Sequence, residues 1–260
     1  LYAQANINIP GHEADISSDK PLQVRPMVDH TDTVPPDLDY ILKTYPTAKK
    51  IAIAAPDIGY EGMIASLEKD AKARGMSVIF TEKWAWGTTD FVPTYTRVLN
   101  AKPDIIIAMV SGQAMDQLIA ARQLGFKGIF VSNSPLGADI FVNVVRDPVW
   151  LTDVLVNSPN IEEPNAAIKE LMGRWAKKYP KDPFVSDAIH AYDMPWILAQ
   201  GMVKAKSIEP AAVLAALETM TKRGDIDTNF GPGQMGGAES YGVNRMLFRP
   251  IPLTRIMSGK

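Results

Sequence analysis

Residues 51–63 read IAIAAPDIGYEGM. An apolar, partly β-branched run stops at Pro56, passes through Asp57 and Gly59, and restarts at Tyr60 with helical character. That is a strand–loop–helix corner, and the same corner recurs downstream. Short apolar runs at 51–55, 77–80, 104–110 and 128–131 read as strands. Helical patterns lie between them. Ile64, Leu67 and Ala71 recur at helical spacing and Gly75 follows as a stop; Phe91, Tyr95, Val98 and Leu99 form a second face after Thr89-Asp90; Met115, Leu118, Ile119 and Arg122 form a third, ended by Gly125. Strand alternating with helix predicts right-handed βαβ units and an α/β fold with a parallel, doubly wound sheet.

The pattern changes after residue 157. NSPNIEEPN (157–165) reads as a polar connector, followed by helical patterns over 165–179, 185–204 and 210–220. RGDIDTNFGPGQMGGAESYG (223–242) reads as a loop with room for one short strand, and 243–248 and 253–257 are strand-like.

Bulk properties narrow the function. With 260 residues, 46% of them hydrophobic, the chain can build one large domain or two lobes with their own cores. A net charge of −2 gives no general attraction to nucleic acid or anionic membrane, and no apolar run is long enough to cross a bilayer. The absence of cysteine removes disulfides, thiolate metal sites and a Cys nucleophile. The sequence begins at Leu1, which implies that something preceding it has been removed or left out.

Ligands of open parallel sheets bind beyond the carboxyl ends of the strands. That rule selects four loops: Pro56–Tyr60, Trp84–Thr89, Ser111–Gln113 and Ser132–Ser134. The candidate ligand-binding residues are Tyr60, Trp86, Ser111, Gly112, Asn133 and Ser134. Tyr60 offers a flat apolar face with one hydroxyl, suited to a small organic molecule, or else it is an exposed residue at a helix start. Trp84 and Trp86 share a face if that segment is extended, and their plainer reading is a plug packed on the sheet. Ser111 and Gly112 open a helix whose free N–H groups suit an anion or carbonyl. Ser111, Asn133 and Ser134 also fit as turn formers.

Other chemistries find less support. No G-x-x-x-x-G-K-[ST] or G-x-S-x-G motif occurs. GPGQMG (231–236) matches G-x-G-x-x-G literally, but it contains a proline and no amphipathic helix follows, so it reads as a turn-rich loop. DAIHAYD places Asp187, His190 and Asp193 roughly along one helix face. A polar face with a charge-paired His is the plainer reading; an acid/base pair or part of a metal site is the alternative. GHEAD (11–15) is not H-E-x-x-H. No catalytic residue, cofactor or metal site is expected.

KKIAIAAPDIGYEGM (49–63), GTTDFVPTYTRVLNAKPDIIIAM (87–109), ARQLGFKG (121–128), AYDMPWILAQGM (191–202) and the ending FGPGQMGG…RIMSGK resemble the substrate-binding proteins of branched-chain amino-acid ABC transporters, the type I periplasmic-binding-protein fold. The resemblance runs from about residue 20 to the C-terminus. It implies two doubly wound lobes joined by hinge crossovers. Residues 1–34 and 159–240 would belong to the first lobe, and 35–158 and 241–260 to the second. It also implies that the family's N-terminal stretch, which forms most of the first sheet and grips a ligand carboxylate, is absent from this sequence. The helices of 159–220 would then lack part of their packing surface.

The function so implied is an extracytoplasmic solute receptor that captures a small organic ligand (carboxylate, amide or amino-acid-like) between the lobes and delivers it to a membrane permease. It would be periplasmic or extracellular, with a lipid anchor compatible at an N-terminus outside this sequence. It would be no enzyme, with no nucleic-acid partner and no membrane insertion in this segment. A ligand sensor on the same fold and an α/β enzyme using Asp187, His190 and Asp193 remain the alternatives. Tyr60 matches the family's ligand-gripping tyrosine. The family's aromatic and acidic ligand positions read here as approximately Val110-Ser111 and Asn133-Ser134. With no carboxylate at the ammonium position, a buried amine would lack its counter-charge. The expected ligand is therefore neutral or anionic.

Overall fold

The computed structural model describes residues 2–3, 23–25, 34–109, 113–133 and 137–257. In chain order the elements are β1 (Tyr2–Ala3), β2 (Gln23–Val24), α1 (Val34–Thr44), β3 (Lys50–Pro56), α2 (Glu61–Ala73), β4 (Ser77–Trp84), α3 (Val92–Asn100), β5 (Ile105–Ala108), α4 (Ala114–Gln123), β6 (Ile129–Ser132), α5 (Ala138–Val144), a 3-10 turn (Pro148–Leu151), β7 (Val154–Val156), α6 (Ala166–Lys178), α7 (Asp187–Ala205), α8 (Pro210–Glu218), β8 (Ile226–Thr228), β9 (Gly231–Gly236), α9 (Ala238–Tyr241), β10 (Met246–Phe248) and β11 (Thr254–Ile256).

The chain divides into two compact units: one of residues 1–29 and 161–252, the other of 30–160 and 253–260. The division differs from the sequence reading at the C-terminus. Residues 241–252 belong with the first unit because β10 pairs antiparallel with β9 there; β11 alone joins the second unit's sheet.

The second unit is built on a six-stranded sheet of order β11-β7-β6-β5-β3-β4, parallel except for β11. Its central strands are apolar runs because both faces are covered. Ala52, Ile106, Phe130 and Val154 face one core with Tyr95, Val98, Leu118 and Phe141 from α3, α4 and α5. The alternate residues Ile51, Ile53, Ile105 and Ile107 are buried too. β4 runs on to Trp84, beyond the expected end at Phe80. As an edge strand it carries the polar Thr81-Glu82-Lys83, which hid its length from a search for apolar runs.

Arg122, at the end of α4, pins several loops at once. Its guanidinium donates to the carbonyls of Phe126, Gly128, Trp150 and Thr152 at 2.7–2.9 Å. Burial lowers its pKa to about 10, which leaves it charged at neutral pH.

In the first unit, α7 and α8 pack against one face of the antiparallel sheet β10-β9-β8. Met235 and Leu247 from that face join Ile197, Val213, Leu214 and Leu217 in a core. The helices approach closely at Gly201, where a Cβ would lie 2.8 Å from Leu217 Cγ. Trp196, Met202, Val203 and Ile208 leave apolar surface exposed on and just after α7.

GPGQMG is therefore a strand, β9, and not the turn-rich loop its composition suggests. Register with β8 and β10 overrides the low strand propensity of Gly and Pro. NSPNIEEPN also differs from a solvated connector: Asn157 and Ser158 at its start are buried at the end of β7.

Candidate functional site

In the second unit β3 is flanked by β4 on one side and β5 on the other, so chain direction across the sheet reverses between β3 and β5. The βα connections leave these two strands on opposite sides and open a crevice at their carboxyl ends. The loop Asp57–Tyr60 and Met109, just past the end of β5, stand beside it. The ladder extends into both, with Asp57 N donating to Trp84 O (2.8 Å) and Met109 N to Ala54 O (2.9 Å).

Tyr60 stands at this point as the N-cap residue of α2, whose first turn it closes through Ile64 N to Tyr60 O at 2.9 Å. Gly59, at φ +61°, makes the turn that delivers it. Tyr60 is 3% exposed, which decides against the reading as an exposed helix start. Its hydroxyl makes no hydrogen bond with the described residues. Burial raises its pKa, so it stays a neutral donor. The neighbouring carboxylates Asp57 and Glu61 are both engaged by Lys83, at 3.6 and 2.6 Å.

The two tryptophans do not share a face. Trp84 is the buried last residue of β4, stacked edge-on against Phe91 at 5.1 Å. After it the chain turns through Ala85–Thr88, with Thr88 N donating to Ala85 O (3.0 Å) and Gly87 at φ +90°. That turn leaves Trp86 58% exposed. Asn133 is buried at the end of β6, its N–H donating to Ala108 O at 3.1 Å. Ser111, Gly112 and Ser134 lie outside the described residues.

A buried polar cluster on the same edge escaped the sequence reading. Asp37, in the first turn of α1, accepts from Asn157 Nδ2 at 2.7 Å. Asp37 Oδ2, Asn157 Oδ1 and Ser158 Oγ are buried without a hydrogen-bond partner. Burial raises the Asp37 pKa to about 8, partly opposed by the Asn157 hydrogen bond, so the carboxyl is mainly protonated at pH 7. Protonation removes the cost of burying an ionised carboxylate whose Oδ2 has no partner. The available signals were an acid in a helix first turn and an Asn directly after a short apolar run.

Asp187, His190 and Asp193 do not converge. Asp187 is exposed at the start of α7. Asp193 is 2% exposed, so its side of α7 faces inward and is not a solvated polar face. Its carboxylate accepts from the backbone N–H and side-chain amide of Asn229, and Asn165 Nδ2 donates to Asn229 O (2.8 Å); the network fixes the turn before β9. His190 Nδ1 meets Arg249 at 3.2 Å, and burial with that cation lowers its pKa to about 3. Such an imidazole cannot gain a proton at neutral pH, which removes it as a general acid there. Among the described residues no group of three His, Asp or Glu side chains is placed to hold a metal, and no helix is long and apolar enough to cross a membrane.

Comparison with known proteins agrees with this architecture. The structure is similar to that of an amino-acid ABC transporter substrate-binding protein from Pseudomonas fluorescens, with a TM-score of 0.79 and 16% identity over 97% of this chain and 65% of that one. It is similar to an ABC transporter solute-binding protein from R. palustris in complex with 4-hydroxybenzoate (0.73, 18%, 97% and 67%). It is also similar to a leucine-binding protein from Thermotoga maritima (0.75, 13%, 99% and 70%). At these identities the likeness shows the type I periplasmic-binding fold, of which this chain spans about two thirds of the relatives' length. No curated protein matches the sequence. The family model described as periplasmic binding protein matches residues 10–257. The chain belongs to that periplasmic binding protein family.

Proposed function

We propose that the chain is the solute-binding component of an ABC transporter. It holds a small neutral or anionic organic ligand at the carboxyl edge of the β3–β5 crevice and hands it to a membrane permease. It works outside the cytoplasm and binds without catalysing a reaction. The observation that carries this reading is Tyr60, a nearly buried ring at the sheet's switch point with a hydroxyl that no described residue engages. The ring is held in the fold while its hydroxyl stays accessible at the edge, where a ligand oxygen can meet it. Family membership and the solute-binding relatives support the same reading.

The charge balance supports the ligand class. Asp57 and Glu61 share Lys83, and Asp37 is mainly protonated, so these acids offer little to a buried ammonium. The ligands named for relatives, 4-hydroxybenzoate and leucine, bracket the choice, and the present chain fits the first class better. A thermal-shift screen of aromatic and aliphatic carboxylates, their amides, amino acids and simple amines tests it. Carboxylates or amides should raise Tm. Tyr60→Phe should weaken the best of them about tenfold, the worth of one hydrogen bond. Stabilisation only by amines or amino acids, indifferent to Tyr60→Phe, contradicts the reading.

A further inference from the structure

The first unit carries a pocket of its own, of about 340 Å³, lined by Arg223, Pro232, Gln234, Phe248, Arg249 and Pro250. Strand register explains how it forms. Pro232 and Gln234 are two residues apart on β9, and Phe248 of β10 is the cross-strand partner of Gln234, so all three share one face of the sheet. Met235 and Leu247 occupy the opposite face and fill the core against α7 and α8. The pocket therefore lies on the side of the sheet away from those helices. Its apolar wall depends on a glycine. The Phe248 ring lies across Gly236, where a Cβ would come within 2.7 Å of it.

Two cations line this apolar wall. Arg223 is on the α8–β8 loop, and Gly224 N donating to Gly233 O (2.9 Å) ties that loop to β9. The loop's own acid, Asp225, is turned to Lys222 N at 2.8 Å. Arg249 stacks 3.5 Å above the Phe230 ring and donates to Pro250 O (2.9 Å), while its other terminal nitrogen meets the neutral His190. Neither arginine forms an ion pair among the described residues. Asp193 acts on Arg249 only at longer range, and burial lowers the Arg249 pKa to about 10. The exposed Arg223 and the half-buried Arg249, beside an amide and an apolar wall, match an anion with an apolar body: Arg pairs carboxylate through charge-assisted hydrogen bonds, and Phe248 with the two prolines takes the hydrocarbon. The volume suits a single-ring acid.

We propose that this pocket is a second ligand site, separate from the Tyr60 edge, and that it binds a small organic carboxylate. Titration of the isotope-labelled chain with sodium benzoate at fixed pH and ionic strength, followed by amide NMR, tests this directly. The expected result is a saturable shift of residues 231–236 and 246–249. Arg223→Gln, at an exposed position that leaves the fold intact, should weaken it roughly five- to tenfold. Gln234→Glu should weaken it further by charge repulsion, and Tyr60→Phe should leave it unchanged. Benzamide should bind at least tenfold more weakly than benzoate. Absence of a saturable shift at these residues, or indifference to Arg223→Gln, overturns the site. Equal binding of benzamide or inorganic phosphate overturns the carboxylate assignment.

Discussion

Asp37→Asn is the substitution with the sharpest outcome. Asp37 is 1% exposed, and its pKa moves from 3.8 to about 8 on folding, with burial as the main cause. A raised folded pKa means that its contribution to stability is fully present below pH 3.8 and is lost as pH rises toward 8, where the folded carboxyl also ionises. Within that window each pH unit removes about 1.4 kcal/mol. At pH 7 the protein therefore carries a cost of about 4 kcal/mol relative to acid conditions, the work of keeping a proton on Asp37 that the unfolded chain has released.

Asparagine fills the same volume, still accepts from Asn157 Nδ2, and has no charge to bury. The variant should lack the titration. Urea unfolding followed by tryptophan fluorescence, at pH 5 and pH 7.5, measures it. Asp37→Asn should gain about 3 kcal/mol relative to the parent between these two values, and it should be the more stable protein at pH 7.5. A constant difference across pH would mean that Asp37 folds ionised, which would falsify the acid–amide pairing.

Other perturbations test the scaffold. Arg122→Met removes the donor to four carbonyls and should cost about 3 kcal/mol, read as a lower urea midpoint. Gly201→Ala sets the gain of about 1 kcal/mol in helix propensity against a clash with Leu217 and Val213. Overpacking costs about 1–3 kcal/mol, so a net loss and a lower Tm are expected. Asp193→Ala leaves the Asn229 amide groups without their acceptor; thermal melting should show a loss of about 2 kcal/mol, and ligand binding at the Tyr60 edge should persist.

The β3–α2 corner was legible in the sequence because a strand buried on both faces is a continuous apolar run, with Pro56 and Gly59 marking its exit. The same logic found β5 and β6. It missed β7, whose three residues Val154–Val156 are too few to show a pattern, and it assigned 241–252 to the wrong unit. Pairing partners 10 to 14 residues away, as for β10 with β9, and about a hundred away, as for β11 with β7, leave no local trace. Gly-Pro-Gly became strand because neighbours on both sides supply the ladder that propensity opposes.

The carboxyl-edge rule pointed to Tyr60, which the structure has between β3 and α2, but the rule could not tell its burial from the exposure of Trp86. That distinction depends on the turn after Trp84. The helical period placed His190 and Asp193 on one side of α7, yet periodicity does not say which side faces inward when both are mixed. Asp37 and Asn157 are separated by 120 positions and meet only in the fold.

Hydrogen exchange by mass spectrometry on the whole chain, with and without the most stabilising small carboxylate or amide, tests the central claim most directly. Binding at the β3–β5 crevice predicts slowed exchange in peptides covering 56–61, 84–91 and 109–117. Protection confined to 187–193 and 229–236, or to the opposite edge at 49–50 and 102–104, would contradict a ligand site built around Tyr60.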